Sequence, residues 1–230
     1  MRFYKDTKQI EYYLKKYDVK KMFTDKDSYR QNFVMVEIRR HENIDHNAYN
    51  NYLFFMVEGR FKVYSNLSNG KKLLLYFSRK FEIMGDLEFL RIKNHNVTTE
   101  AIEHTVCLAL DISQIRDRLL KDTVFLKTLL YQVGEKLAKS SSNIAINMLY
   151  PVENRLSSYI RYMAQDNGTN TGKYFEANLT ETAEVLGTSY RQLQRVLKAL
   201  CAQNILQKNK GRYEIVDEER LNILSGDIYM

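Results

Sequence analysis

LTETAEVLGTSYRQLQRVLKALCAQNIL, residues Leu179–Leu206, is the stretch that decides the fold. Thr180 stands where a helix N-cap belongs, ahead of Ala183, Val185 and Leu186, which turn apolar side chains inward. Gly187 ends that helix, because glycine takes a positive φ at little cost. Ser189 can cap a second helix at once, in which Leu193, Val196, Leu197 and Leu200 recur at i, i+3, i+4 and i+7 to form one buried stripe. The opposite face carries Tyr190, Arg191, Gln192, Gln194, Arg195 and Lys198, long hydrogen-bonding side chains suited to base edges and phosphates in a major groove. An amphipathic hairpin with a solvated basic face would share the stripe and the charges. The small residue at 183, the glycine, the two capping hydroxyls and a turn of about three or four residues favour a helix-turn-helix that sets Ser189–Ala199 against DNA.

Working outward, LQKNKGRYEIV (206–216) reads as two short strands around Lys210-Gly211, a wing whose Lys208, Lys210 and Arg212 could grip phosphates. Upstream, Pro151 is the only proline and marks a domain boundary. Helix resumes with Arg155, Leu156, Tyr159, Ile160 and Met163, and DNGTNTGK (166–173) is a turn-rich loop before the helix-turn-helix. Residues 151–230 are thus expected to form a winged helix-turn-helix DNA-binding domain.

Residues 113–150 predict one long helix, beginning near Ser113 and ending near Leu149, with no proline and one glycine. Leu126, Val133, Ser140 and Asn147 fall at heptad position a, and Leu130, Leu137 and Ile144 at d. Two readings stay open. The helix either packs along its own domain, or its seam of Leu126, Leu130, Val133, Leu137, Ser140 and Ile144 meets a second copy in parallel, with the polar a positions fixing register.

Residues 1–112 predict a β domain behind a short amphipathic helix with Ile10, Tyr13, Leu14 and Tyr17 at helical spacing. Val34, Val36 and Ile38 alternate with polar neighbours. LFFMVEGRFKVYSNLSNGKKLLLYFS (53–78) reads as two apolar strands around Ser68-Asn69-Gly70, and Val106–Leu110 as another. Short strands without intervening helical pattern suggest an antiparallel sandwich or barrel over about 30–112. The fold class is α+β: an N-terminal antiparallel β-roll, a long helix and a C-terminal winged helix-turn-helix.

The chain has 230 residues, 44% hydrophobic and 27% charged, which is globular rather than disordered. A net charge of +7 suits an acidic polymer without proving one. No apolar run approaches the roughly 18 residues of a membrane helix, and no signal-peptide core is present, so a cytoplasmic protein is expected. Cys107 and Cys201, the only cysteines, read as buried free thiols.

A β-roll, a long helix and a winged helix-turn-helix in that order resemble the cyclic-AMP receptor / Fnr (Crp/Fnr) family of bacterial transcription regulators over nearly the full length. LFFMVEGRFKVYSNLSNGKK is similar to the family's strand-hairpin signature, GDLEFL (85–90) to the Gly-Glu-Leu core of its phosphate-binding cassette, PVENRLSSYI (151–160) to the helix after its hinge, and LGTSYRQLQRVLKAL (186–200) to its recognition helix. The resemblance implies a homodimer that reads an inverted repeat in double-stranded DNA, with RNA polymerase as a further partner and an effector sensed by the β-roll.

The resemblance also implies an effector pocket at Gly85, Asp86, Leu87, His95, Asn96, Ser140 and Ser141. Cyclic-nucleotide-binding members clamp the cyclic phosphate with an arginine and take the ribose hydroxyl with a glutamate. Here those positions fall on His95 and on Asp86, one methylene shorter, and an imidazole has no bidentate fork. Cyclic AMP is therefore disfavoured. Ser140 and Ser141 match the helix hydroxyls that reach the purine, or are solvated hydroxyls only. Residues 1–50 hold no cysteine, which excludes the iron-sulfur cluster of Fnr-like members. On the recognition helix the family's Arg-Glu after the serine is Tyr190-Arg191, with Arg195 in the place of the second arginine. Arg191 and Arg195 are the candidates for guanine, Gln192 and Gln194 for adenine or backbone, and Tyr190 for phosphate or a thymine methyl.

His41, His46, His95 and His104 do not fill a metal-barrel pattern and read as surface or loop residues. No nucleophile elbow, phosphate-binding loop or dinucleotide fingerprint is present, so no enzyme, metal or resident cofactor is expected. The competing reading is a cytoplasmic ligand-binding module whose winged helix contacts protein.

Overall fold

Tyr52–Glu58 and Thr105–Asp111 are apolar on successive residues rather than on alternate ones, and the computed structural model shows why: both faces of their sheet are buried. The structure describes residues 1–25, 29–44, 46–68, 70–92, 96–166, 172–176, 178–226 and 228. Contacts divide the chain into two compact units, one built from residues 1–63 and 77–139, the other from 64–76 and 140–230.

In chain order the first elements are β1 (Arg2–Tyr4), α1 (Thr7–Lys16), β2 (Phe33–Ile38), α2 (His46–Tyr49), β3 (Tyr52–Glu58), β4 (Phe61–Asn66), β5 (Lys72–Phe77), β6 (Ile83–Met84), α3 (Asp86–Phe89), β7 (Val97–Ala101), β8 (Thr105–Asp111), α4 (Arg116–Leu119) and α5 (Thr123–Leu149). Strands β1-β2-β8-β3-β6 form one sheet and β5-β4-β7 another. On one face of the larger sheet Met35, Phe55, Leu108 and Leu110 pack with Ile10, Tyr13 and Leu14 of α1 and with Phe125 and Leu129 of α5. On its other face Val36, Ile38, Phe54, Met56 and Ala109 pack with Phe61 and Met84. Double burial erases the two-residue period that marks a half-exposed strand.

Two expectations fail here. The stretch 53–78 holds three strands rather than two, because β3 turns into β4 at Gly59. There φ is +85° and an added Cβ would lie 2.4 Å from Thr105 Oγ1, so only glycine fits. The helix expected from Ser113 is broken: α4 stops at Leu119 and α5 starts afresh at Thr123. The cause is Asp122, whose buried carboxylate accepts from the backbone N–H of Val124 and Phe125 and from the N–H and hydroxyl of Thr24, at 2.7–3.1 Å.

Burial alone would raise the Asp122 pKa, yet its hydrogen bonds from Thr24, Phe125 and Val124 outweigh that and hold it below the usual carboxylate value. Because the folded value is depressed, this stabilisation is complete above the unfolded pKa near ~3.9 and is lost as pH falls through the lower folded value. Asp122→Ala is expected to lower urea-unfolding stability at pH 7 by about 3 kcal/mol, with the gap to the parent closing as the pH falls below about 4. A gap independent of pH would contradict the assignment.

The second unit contains the β4–β5 hairpin over residues 64–76, the end of α5, then α6 (Val152–Met163), β9 (Gln165–Asp166), β10 (Lys173–Phe175), α7 (Leu179–Val185), α8 (Tyr190–Ala202), β11 (Leu206–Asn209), β12 (Arg212–Ile215) and α9 (Glu218–Ser225). Strands β11-β12-β10-β9 form its sheet. The loop read at 166–173 lies largely outside the described residues. Arg155 on α6 is buried, its Nε donating to Tyr150 O at 3.1 Å and its Nη1 to Leu186 O. One guanidinium thereby satisfies orphan carbonyls at the ends of both α5 and α7.

Candidate nucleic-acid interface

The cap of α7 is Asn178 and not Thr180: the Asn178 side chain accepts from the N–H of Thr180 and Glu181 at 3.0 and 3.3 Å. The extended backbone that a cap requires falls at 178, which leaves Thr180 exposed in the first turn. Gly187, at φ +60°, closes α7 as a Schellman turn, its N–H reaching Glu184 O while that of Thr188 reaches Ala183 O. Ser189 then caps α8 by accepting from Gln192 N at 3.2 Å. The three local signals therefore fix the angle between the two helices.

Helix α8 buries Leu193, Leu197 and Leu200 and is amphipathic throughout. Its other side is an open depression of about 500 Å³ lined by Ser189, Arg191, Gln192, Gln194, Arg195 and Lys198. Six side chains named from sequence thus share one exposed surface, and none of them is a carboxylate. Arg191, Arg195 and Lys198 are exposed, and among the described residues none has a hydrogen-bond or ion-pair partner. Tyr190 is 45% exposed, and its hydroxyl accepts from Gln194 Nε2 at 2.8 Å. Thr188 Oγ1 donates to Gln192 Oε1 at 3.4 Å. Cys201, near the end of α8, is half-buried, and burial raises its thiol pKa.

In the wing, β11 pairs with β12 from Leu206–Ile215 to Asn209–Arg212, and Lys210 and Gly211 both take positive φ, as a two-residue hairpin of right-handed twist demands. Lys208 and Lys210 are exposed. Arg212 differs from them: its guanidinium pairs with Glu214 at 3.1 Å and lies 4.7 Å over the Tyr174 ring, so it braces the wing.

The residues grouped from sequence as an effector pocket are treated differently by the structure. Gly85 takes φ +92°, and a Cβ there would lie 2.8 Å from the Tyr49 ring. Asp86 is buried, with Oδ1 3.1 Å from Lys136 Nζ of α5, and Lys136 also donates to Ile83 O. Lys136 carried no signal in the sequence, since it meets Asp86 only across 50 residues of chain. Leu87 is half-buried, Asn96 exposed, Ser140 half-buried and Ser141 exposed, while His95 lies outside the described residues. Along α5, Leu130, Leu137 and Ile144 are exposed, together with Tyr131, Met148 and Leu149. Leu126, placed at the head of the seam from sequence, packs against the core of the first unit instead. Among the described residues no three His, Cys, Asp or Glu side chains are grouped to hold a metal ion, and no helix is long and apolar enough to cross a membrane.

Residues 37–122 match the sequence family described as a cyclic nucleotide-binding domain, and residues 154–224 the Crp-like helix-turn-helix domain. The regulatory protein YeiL of Escherichia coli O157:H7 is 31% identical over 174 residues, which is 76% of this chain and 77% of that protein. Among solved structures, one assigned to the crp/fnr family of transcriptional regulators from Eubacterium rectale superposes with a TM-score of 0.74 at 15% identity, covering 88% of this chain and 94% of the other. The CRP-family regulator TTHB099 from Thermus thermophilus gives 0.67 at 16% identity, covering 85% and 98%. At such identities these two structures speak for the fold.

Proposed function

The chain belongs to the Crp/Fnr family of DNA-binding transcription regulators, and from that premise we propose that it acts as a homodimer reading an inverted repeat in promoter DNA under the control of an effector other than cyclic AMP. The observation that carries this reading is the exposed face of α8: three cations without a partner among the described residues and two glutamines on one surface, with no carboxylate among them. Such a face attracts phosphates at long range and offers donors to guanine and adenine at short range. Thr180, Lys208 and Lys210 lie exposed on α7 and the wing, where they can take phosphates. RNA polymerase is the further partner of such a regulator.

Against cyclic AMP stands the occupancy of Asp86. Its carboxylate, at the position that takes a ribose hydroxyl in cyclic-nucleotide-binding relatives, is already bonded by Lys136. A nucleotide would have to share with Lys136 a carboxylate that is only 10% exposed, without an arginine at 95 to clamp its phosphate. The effector, whether a small ligand or a redox change, acts by biasing the hinge after α5. Arg155 bonds both Tyr150 O in that hinge and Leu186 O at the helix-turn-helix, so a shift in one moves the other.

The experiment is selection of bound genomic fragments followed by fluorescence anisotropy at increasing salt. Neutralising six to ten phosphates should weaken binding by about 10³- to 10⁵-fold between 50 and 200 mM salt. A nearly flat response without DNA retention would instead support a winged helix used for protein contacts. Effectors couple to a second site by about 5- to 150-fold, so cyclic AMP is expected to change DNA affinity by less than about twofold. A larger change would overturn its exclusion.

A further inference from the structure

We infer that Gln194, oriented by the Tyr190 hydroxyl, reads an adenine in the major groove of each half-site; this rests on the DNA-binding role of α8 proposed above. The two residues stand four apart on α8, which places them one above the other on the same helix face. The Gln194 Nε2 donates to Tyr190 Oη at 2.8 Å. A primary amide has two N–H donors and one carbonyl acceptor, and the bond to Tyr190 uses one donor. One N–H and Oε1 remain on a side chain that lines the depression. Adenine presents an acceptor at N7 beside a donor at N6 in the major groove, the complement of that pair. Guanine presents two acceptors there, and so would leave Oε1 facing an acceptor.

Pre-orientation decides between the two glutamines. A free glutamine side chain loses up to about 2 kcal/mol of rotamer entropy when it is fixed, and Tyr190 fixes Gln194 before DNA arrives. Gln192 has a weaker tether, a 3.4 Å contact in which its Oε1 already accepts from Thr188, so its carbonyl is the atom partly engaged. Arg191, three residues before Gln194, and Arg195, the next residue after it, line the same depression, and an arginine fork suits guanine. The phenol of Tyr190 accepts the amide hydrogen and keeps its own hydrogen for a phosphate. Adenine recognition is therefore built from an aromatic residue that touches no base.

The test is enrichment of a random duplex library with the full chain, followed by binding to the enriched site carrying 7-deazaadenine, which lacks the N7 acceptor, or purine, which lacks the N6 amino group, at one adenine of one half-site. Each analogue is expected to weaken binding of the parent by about 5- to 150-fold. Gln194→Ala should bind adenine and both analogues equally. Tyr190→Phe, which retains the ring and removes only the hydroxyl, should cut the preference for adenine over its analogues by about two- to tenfold. Tyr190 is exposed and Gln194 half-buried, and neither substitution buries a new polar group, so these variants fold as the parent does. A parent that binds its selected site but ignores both analogues at every adenine overturns this inference alone, as does an undiminished preference in Tyr190→Phe. A parent that retains no duplex at all overturns the regulator function itself.

Discussion

Arg195→Ala is expected to abolish site-specific DNA binding while leaving the folded subunit and its association state unchanged. Arg195 is exposed on α8 and, among the described residues, has no hydrogen-bond or ion-pair partner, so its removal orphans no buried group. Folding stability should move by no more than about 0.5 kcal/mol. A bidentate arginine–guanine pair contributes about 1 to 3 kcal/mol of discrimination, and a dimer loses it twice, so specific affinity should fall by about 30-fold to 10⁴-fold. Arg195→Lys separates the two roles of the side chain. It keeps the charge and the salt dependence but loses the planar fork, so unselected DNA should bind as before while discrimination collapses. Competition binding with selected and scrambled duplexes, at one fixed salt concentration, reads both quantities. Unaltered specific affinity in Arg195→Ala would remove α8 from the role of recognition helix.

The contrast among the arginines shows what a sequence can and cannot convey. Arg191, Arg195 and Arg212 look alike as letters in a basic stretch. In the structure the first two have no partner among the described residues, while Arg212 is held by Glu214 and Tyr174, and Arg155 is buried between two helix ends. The helix-turn-helix was legible because its determinants are local: Gly187 and Ser189 act within four residues of themselves, and the stripe of Leu193, Leu197 and Leu200 repeats at the helical period. The Tyr190–Gln194 bond is equally local in spacing, yet which of two glutamines holds the tighter tether is a matter of geometry. Elsewhere the signal was hidden. In β3 and β8 burial of both faces removed the alternation, and at Asp122 a capping carboxylate interrupted an otherwise unbroken helical pattern by bonding Thr24, 98 residues away. The Asp86–Lys136 pair is of the same kind: each residue alone reads as a surface charge, and only the fold joins them.

Leu137→Glu is expected to split the proposed dimer and with it to remove high-affinity binding to an inverted repeat. Leu130 and Leu137 are 73% and 67% exposed on α5, and Met148 and Leu149 are 79% exposed, an apolar seam that the subunit does not cover. The seam begins at Leu130, because Leu126 is taken up by the subunit's own core, and it follows the d positions through Leu137 to Ile144. Ser140 and Asn147 interrupt the a positions, where a polar side chain costs stability and in return fixes one register. Burying a leucine contributes about 1.5 to 3 kcal/mol, and the symmetric interface loses two of them, so the substitution should weaken dimerisation by at least about 100-fold before any charge is counted. Two carboxylates facing each other at adjacent d positions add to that loss. The subunit should stay folded, since the residue is solvent-facing within it, and unchanged far-ultraviolet circular dichroism together with a halved mass in light scattering would establish both points. Monomers meet only one half-site each, so retention of the palindrome should fall far more than retention of a single half-site. A variant that keeps the dimer mass at micromolar concentration would mean that the exposed leucines of α5 are covered by something other than a second copy.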